Sequence, residues 1–343
     1  GGDDGRRDAP RCSAAGPPVN GASSVLLLVL ALVAGGGRPL VALQSAEPLP
    51  ASTEERRVAL TFDDVPMTGG SLCDADRVRS TTSRITGVLE RRAAPAAALV
   101  TPGRACIGPA LLRATLERWR EIGATLGNHT ATHPDLNDTP IDDYLANLDR
   151  GQRLIEEAAG AGSRWFRPPY LHSGADTAKR RALAEHLASR GYRVAPVTVD
   201  NQEWVYAAVY EVALERGDEL LADRVVAGYL EHLESSMEFY EAVSRSVFDR
   251  EIPQVLLLHA NALNADHLDA VLTMLEERGY RFVGLAEAVS DPAYDRPDTY
   301  VGPRGLSWLQ RWALASGVNV PPEPREAEWV AEALRRSRSG GLD

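Results

Sequence analysis

Two histidines four residues apart, His129 and His133, stand in the segment GNHTATHPDL of a chain that holds only seven histidines. Imidazoles at i and i+4 share one side of a helical turn and can bind a single cation between them. Two imidazoles do not complete a catalytic zinc site, which takes three protein ligands and keeps one position open. The adjacent acids of TFDDVP, Asp63 and Asp64, follow the apolar run VAL and offer the missing carboxylate. Neighbouring strand residues point to opposite faces, so two such acids can serve one place only where the strand ends or bulges. One would then ligate the cation and the other act as a base. Taken alone, the same pair reads as a turn or a helix N-cap.

Three further segments carry polar residues of the same kind. RPPY, Arg167 to Tyr170, holds an extended backbone through its two prolines and so presents the Arg167 side chain and the Tyr170 N–H rigidly. DNQEW places Asp200 and Glu203 ahead of Trp204: acids that can orient a catalytic partner, and a ring that can wall a sugar. By itself it is equally a helix N-cap with an apolar anchor. VLLLHA ends an apolar run on His259, a group able to donate a proton near neutral pH, with Leu257 two residues before it. The other histidines, His172, His186, His232 and His267, lie outside these segments, and His172 is expected at the surface.

These residues need a frame that gathers strand ends. From residue 57 to about 290, aliphatic or β-branched runs alternate with amphipathic stretches, which predicts βα units and a parallel sheet. Strands are expected at 57–65, 96–102, 124–130, 164–170, 193–200, 254–260 and 281–286. Helices are expected near 74–91, 109–121, 140–159, 175–190, 206–247 with a break near Gly217, and 264–278. Seven strands in this order predict an α/β fold, a deformed, partly open (β/α) barrel whose strand C-termini share one face. Beyond residue 290 the texture turns Pro- and Gly-rich, and two short helices are expected at 304–316 and 324–337 before a frayed tail. Trp308 and Trp312, four apart on the first of these, are read as core packing.

At 44% hydrophobic and 25% charged residues the chain has the composition of an ordinary globular protein, which excludes disordered and multi-span membrane classes. The net charge of −11 falls on residues 51–343, because the first fifty balance acid and base. Nucleic acid and anionic lipid are poor partners for that surface, whereas a neutral or cationic polymer is compatible with it. Arg6, Arg7 and Arg11 precede the apolar run VLLLVLALVA at 25–34 and then GGG, which reads as a signal peptide with a linker to residue 50. An apolar run of that length falls short of the roughly 20 residues that span a bilayer. The expectation is therefore an exported protein, periplasmic or extracellular, with no stable membrane span and at most a loose N-terminal anchor. In an oxidising compartment Cys73 and Cys106 either form one disulfide or stay as two thiols.

Taken in order, the five segments resemble the motifs of the NodB-type polysaccharide deacetylases, the fourth family of carbohydrate esterases: Thr-Phe-Asp-Asp, His-[Ser/Thr]-x-x-His, Arg-x-Pro-Tyr, Asp-x-x-Asp-Trp and Leu-x-His. The resemblance covers about residues 55–290, the NodB homology catalytic domain, with 1–50 as signal and linker and 291–343 as a C-terminal extension packing on the barrel. It implies metal-dependent hydrolysis of N-acetyl or O-acetyl groups on an acetylated polysaccharide or oligosaccharide. Asp64, His129 and His133 would hold the metal, zinc in the first place and cobalt in the second. Asp63 would be the base toward water at the metal, and Arg167 would hold Asp63 in place. The Tyr170 N–H would help stabilise the oxyanion, and His259 would protonate the leaving group. Tyr170, Trp204 and Leu257 would line the substrate. The chain departs from the pattern at Val65 and Leu171, where the family has glycine, and at Glu203, where it has Asp. With one methylene added, the acid that orients His259 is either Glu203 or Asp200. The other readings are a hydrolase of a non-sugar C–N bond on the same fold and a non-catalytic carbohydrate-binding relative.

Overall fold

The structure, a computed structural model, describes residues 55–338 apart from 70–71, 105 and 161–162. The signal peptide and linker read at 1–50, and the end of the tail, lie outside the described residues. Seven strands, β1 (Arg56–Val65), β2 (Ala96–Val100), β3 (Thr125–Asn128), β4 (Trp165–Phe166), β5 (Arg193–Val194), β6 (Gln254–His259) and β7 (Tyr280–Phe282), form the sheet. Between them run α1 (Ala75–Arg91), α2 (Pro109–Glu121), α3 (Ile141–Ala159), α4 (Thr177–Ser189), α5 (Glu203–Arg216), α6 (Glu219–Phe248) and α7 (Ala262–Glu277). Three shorter helices follow: α8 (Leu285–Ala288), α9 (Trp308–Ala315) and α10 (Glu328–Arg338).

Every pairing is parallel, and the order is β5-β4-β3-β2-β1-β6, with β7 against the first residues of β1. Beyond β5 the chain swings round until Val199 bridges Leu256 of β6, so the sheet curls into a barrel closed on that side by little more than one bridge. The central strand explains the curl. From Val58 to Val65 every residue of β1 is buried, as expected for a parallel strand covered on both faces. Val58, Leu60 and Phe62 pack outward into the main core under the helices, Phe62 meeting Trp119 of α2. Ala59 faces the other way, into a smaller cluster with Ala97, Leu99, Trp165, Ala195 and Val255. Small residues on the inner face leave a narrow interior that a few large side chains fill.

The expected strands at 164–170 and 193–200 are far shorter in the structure. Pro168 and Pro169 stop β4 and Pro196 stops β5, because proline has no N–H to give to a ladder. The long helical stretch breaks at Gly217 as expected, in the left-handed conformation that glycine adopts without strain. It begins at Glu203, three residues early, after Gln202 in the left-handed conformation and an Asx turn in which Asn201 Oδ1 accepts from the Glu203 N–H at 3.0 Å. Trp308 and Trp312 are buried in the main core cluster. His172 is half-buried rather than at the surface, its Nδ1 2.8 Å from Asp135 Oδ1 and 2.9 Å from Asn137 Nδ2.

Helix α3 packs with its backbone against the loop that carries both histidines of GNHTATHPDL. A Cβ at Gly151 would stand 2.7 Å from Asn128 Oδ1, 2.8 Å from the Thr130 carbonyl carbon and 2.9 Å from the Ala131 nitrogen. Gly151→Ala is predicted to lower unfolding free energy by about 1–3 kcal/mol through overpacking. Gly87→Ala on α1, which meets only the end of Arg91, should be neutral or stabilising by about 0.5–1 kcal/mol. Equal urea midpoints for the two variants would show that α3 does not press on the loop.

Candidate active site

The two acids of β1 occupy one site because the strand bulges. Its register with β2 shifts between Phe62 and Val65, and Asp64 takes a positive φ of 61°. The strand reading required an end or a bulge, and the bulge turns both carboxylates into the same cleft. Asp63, in register beside His259 of β6, is buried, and its Oδ1 accepts from Arg167 Nη1 at 2.7 Å. Its Oδ2 lies 3.6 Å from His129 Nε2. Asp64 Oδ1 is 3.6 Å from His133 Nε2, and its Oδ2 accepts from Arg104 Nη1 at 2.6 Å. Burial opposes ionisation of Asp64, but His133, His129 and Arg104 outweigh it and hold the carboxyl well below the usual range.

The two histidines come together by a route other than a helical turn. His129 follows β3 directly, and residues 129–136 form an irregular loop in which Thr130 and His133 have positive φ (67° and 60°). The loop is braced locally: the Thr130 hydroxyl accepts from the His133 N–H at 3.0 Å, and Asn128 Oδ1 accepts from the Thr130 N–H at 2.8 Å. The rings end up 4.9 Å apart, edge to face. His129 Nδ1 lies 2.7 Å from the Arg167 carbonyl oxygen. A carbonyl only accepts, so Nδ1 carries the proton and Nε2 presents a lone pair to the cleft. Burial is the main force on His133, pushing its pKa down to about 4, so that this ring is neutral at pH 7.

Arg167 sits at the barrel mouth, fully buried, and all three of its side-chain nitrogens donate hydrogen bonds. Besides Asp63 it reaches Thr61 Oγ1 at 2.8 Å and the carbonyls of Ala195 and Pro196 at 3.1 and 3.0 Å. After Pro168 and Pro169 the chain turns sharply, with φ of 57° at Tyr170 and 55° at Leu171. That turn leaves the Tyr170 ring 54% exposed at the cleft and 4.6 Å from the His133 ring.

On the opposite wall, His259 Nδ1 is 2.7 Å from Glu203 Oε2, and Asn261 Nδ2 holds Glu203 Oε1. Burial lowers the proton affinity of His259, but the bond and charge of Glu203 overcome that and push it up to about 9. Asp200 does not touch His259. It lines the same cleft, its Oδ1 accepting from the Gln202 N–H at 3.3 Å, and burial together with Glu323 pushes its pKa up to about 6. Trp204, 43% exposed, and Leu257 complete the lining of a cavity of about 580 Å³. All eleven residues singled out from the sequence stand in or directly behind this cavity.

Arg104 and Asn261 escaped the sequence reading. The signal for Asn261 was its position two residues after His259, where it both caps α7 and grips Glu203. Arg104 belongs to no motif; the loop after β2 brings it to Asp64. A disulfide between Cys73 and Cys106 ties that loop to the one after β1.

Asp64, His129 and His133 each offer one donor atom, and the three atoms lie within 4.8 Å of one another. One carboxylate oxygen and two imidazole nitrogens, mostly buried, fit a divalent cation with a position left open. The set thus forms a possible Asp-His-His metal site.

Residues 51–192 match the family model described as polysaccharide deacetylase. Over that stretch, which carries the first three of the five motifs, the chain is similar to the polysaccharide deacetylases. It is 23% identical over 239 residues to the peptidoglycan-N-acetylglucosamine deacetylase PgdA of Listeria monocytogenes, a match covering 70% of this chain and 40% of the relative. It is 25% identical over 158 residues to a chitin deacetylase of Colletotrichum lindemuthianum, covering 46% of this chain and 56% of that one. The chain thus spans less than two thirds of the length of either relative. Among solved structures, the peptidoglycan deacetylase PdaC of Bacillus subtilis aligns over 71% of this chain and 95% of its own, at 21% identity and a TM-score of 0.45.

Calorimetric titration of metal-stripped protein with zinc should give one site. His129→Ala, His133→Ala and Asp64→Asn should each weaken it by more than about 100-fold, beyond the 10–100-fold typical of outer-shell changes, and Thr130→Val by about 10-fold. Unchanged affinity in His133→Ala would remove that residue from the site.

Proposed function

We propose that the protein is a metal-dependent deacetylase that hydrolyses N-acetyl or O-acetyl groups of a polysaccharide or oligosaccharide and releases acetate. One observation carries the reading: a carboxylate gripped by an arginine, an Asp-His-His donor set and a histidine charged through a buried glutamate converge on one open cleft. Asp64, His129 and His133 would hold a divalent metal, zinc first and cobalt second. When bound, such an ion supplies a Lewis acid that acidifies water and polarises a carbonyl.

The rest of the chemistry belongs to the chain. Asp63 takes the proton from the attacking water; Arg167 occupies its Oδ1 and fixes its orientation, leaving Oδ2 toward the cleft. The main-chain N–H of Tyr170 donates to the oxyanion, a contact worth about 2.7–4 kcal/mol in comparable sites. His259 stands ready in its protonated form, because Glu203 raises its pKa, and gives that proton to the departing amine or alcohol. Glu203 takes the orienting role, and Asp200 is assigned to contact with substrate. Tyr170, Trp204 and Leu257 line the sugar.

The relatives named for peptidoglycan N-acetylglucosamine and chitin make acetylated amino-sugar polymers the first substrates to try. Export to the periplasm or cell exterior is part of the same proposal, supported by the basic-then-apolar N-terminal segment. The reading also divides the chain into signal and linker (1–50), catalytic domain (55–290) and C-terminal extension (291–343). A small-molecule C–N hydrolase would call for a cleft sealed by the 209–247 segment; the exposed Tyr170 and Trp204 rings favour a polymer instead.

Acetate release from chitooligosaccharide, peptidoglycan and acetylxylan, with zinc or cobalt added, tests the reading directly. Asp63→Asn should keep its metal and lose about 10²–10⁴-fold in kcat. Activity on all three substrates by that variant would sink the role of Asp63, and none by the wild type would sink the function. Because His259 acts while protonated, kcat/KM should fall as pH rises through its raised pKa. Glu203→Gln removes the charge that raises it, so the alkaline limb should move down by about 1–3 units. An unmoved limb would assign it to another group.

A further inference from the structure

We propose that Arg311, on helix α9 of the C-terminal extension, is a positioning residue for the main chain of Tyr170. The inference rests on the deacetylase reading, in which the Tyr170 N–H serves the oxyanion. Tyr170 and Leu171 are consecutive residues in the left-handed region, a conformation that side chains with a Cβ avoid unless the surroundings enforce it. Pro168 and Pro169 fix the chain on the upstream side. On the downstream side the constraint comes from some 140 residues further along the sequence.

Arg311 is fully buried, and its guanidinium reaches four groups. Nη2 donates to the Leu171 carbonyl at 2.6 Å, and Nη1 donates to Ser173 Oγ at 3.0 Å and Asp298 Oδ2 at 2.7 Å. Nε donates to the Leu306 carbonyl at 2.9 Å, and the Trp308 ring lies 4.0 Å from the guanidinium carbon. The strap leading to Arg311 presses on the same turn. A Cβ at Gly305 would overlap the Tyr170 carbonyl oxygen, so any side chain there must displace the Tyr170 turn, and Gly305 itself lines the cleft. Asn137, in the loop beyond the two histidines, donates to the Pro303 carbonyl at 3.0 Å. Arg180 holds the same strap through Asp298 and Tyr300 and also reaches Ser173 Oγ at 3.3 Å, but it makes no bond to the Leu171 carbonyl, which only Arg311 holds among these side chains. The segment 298–311 is therefore a working part of the catalytic machinery, although it lies outside the 51–192 stretch that matches the family.

The test uses the full chain loaded with zinc. Arg311→Gln and Arg311→Lys are compared with Arg180→Gln, which loosens the same strap elsewhere. Acetate release from chitooligosaccharide is followed well below every thermal midpoint. Arg311→Gln should lose about 100-fold in kcat, the scale of a misplaced oxyanion donor, with KM within threefold and zinc affinity unchanged. Arg311→Lys should recover little, because one ammonium cannot reach four acceptors in a plane. Arg180→Gln should lower the midpoint while keeping kcat within threefold.

A second readout is independent of turnover. In protein labelled with ¹⁵N-tyrosine, the Tyr170 amide, assigned through Tyr170→Phe, should shift in Arg311→Gln and stay in place in Arg180→Gln. If Arg311→Gln does not fold, Gly305→Ala supplies the same displacement from the other side and should show the same kcat loss and amide shift. Retained kcat with an unmoved Tyr170 amide would reduce Arg311 to a structural staple and overturn the inference. A shifted amide in a protein whose wild type releases no acetate would instead overturn the deacetylase reading and leave the positioning contact standing.

Discussion

Everything at the barrel mouth is arranged around one buried cation, the guanidinium of Arg167. A charge without water is tolerated only when its donors are matched, and Arg167 is matched by Asp63, Thr61 and the carbonyls of Ala195 and Pro196. Its own carbonyl receives the proton of His129 Nδ1, and its N–H donates to the Asn128 carbonyl. One residue therefore sets the orientation of the proposed base, selects the tautomer of a proposed metal ligand and joins the first, third and fourth strand ends to the chain after the fifth. The narrow, alanine-rich inner face of the barrel suits this arrangement, since small residues there leave space that only a few large side chains fill.

Around that centre the backbone is strained where the chemistry is. Among the described residues, eight non-glycine positions have positive φ, and six of them, Asp64, Thr130, His133, Tyr170, Leu171 and Gln202, fall in the segments that build the cleft. Such conformations persist when packing over-determines them, and here the packing is visible: Gly151 of α3 lies against the histidine loop and Gly305 against the Tyr170 turn. At the first and third motifs the left-handed conformations fall on Asp64, Tyr170 and Leu171, none of them glycine.

The elements were legible because parallel strands buried on both faces write themselves as uninterrupted apolar runs, as in VALTF and VLLLH. The site was legible because strand C-termini meet, so polar residues that end successive runs become neighbours. What sequence spacing did not carry was backbone path. The i, i+4 histidines suggested a helical turn, yet a loop with two left-handed residues brings them together. The strands before Tyr170 and after Arg193 read too long because their prolines were weighed as rigidity and not as missing donors. The contest between Asp200 and Glu203 turned on the side-chain reach of a residue already inside α5, which only coordinates disclose. Arg104 and Arg311 were invisible because each acts on a distant segment through a contact no local pattern encodes.

The closure of the barrel has a consequence for the proton carried by His259. His259 stands on β6, whereas the glutamate that charges it follows Val199, on the far side of the single bridge that shuts the sheet. The bond between them is thus a bond across the seam. Any loosening there would separate the two before it disturbed Asp64, His129 or His133, which sit on the continuously paired side. The contact between His259 and Glu203 thus depends on the seam, whereas Asp64, His129 and His133 are held by the continuously paired first, second and third strands.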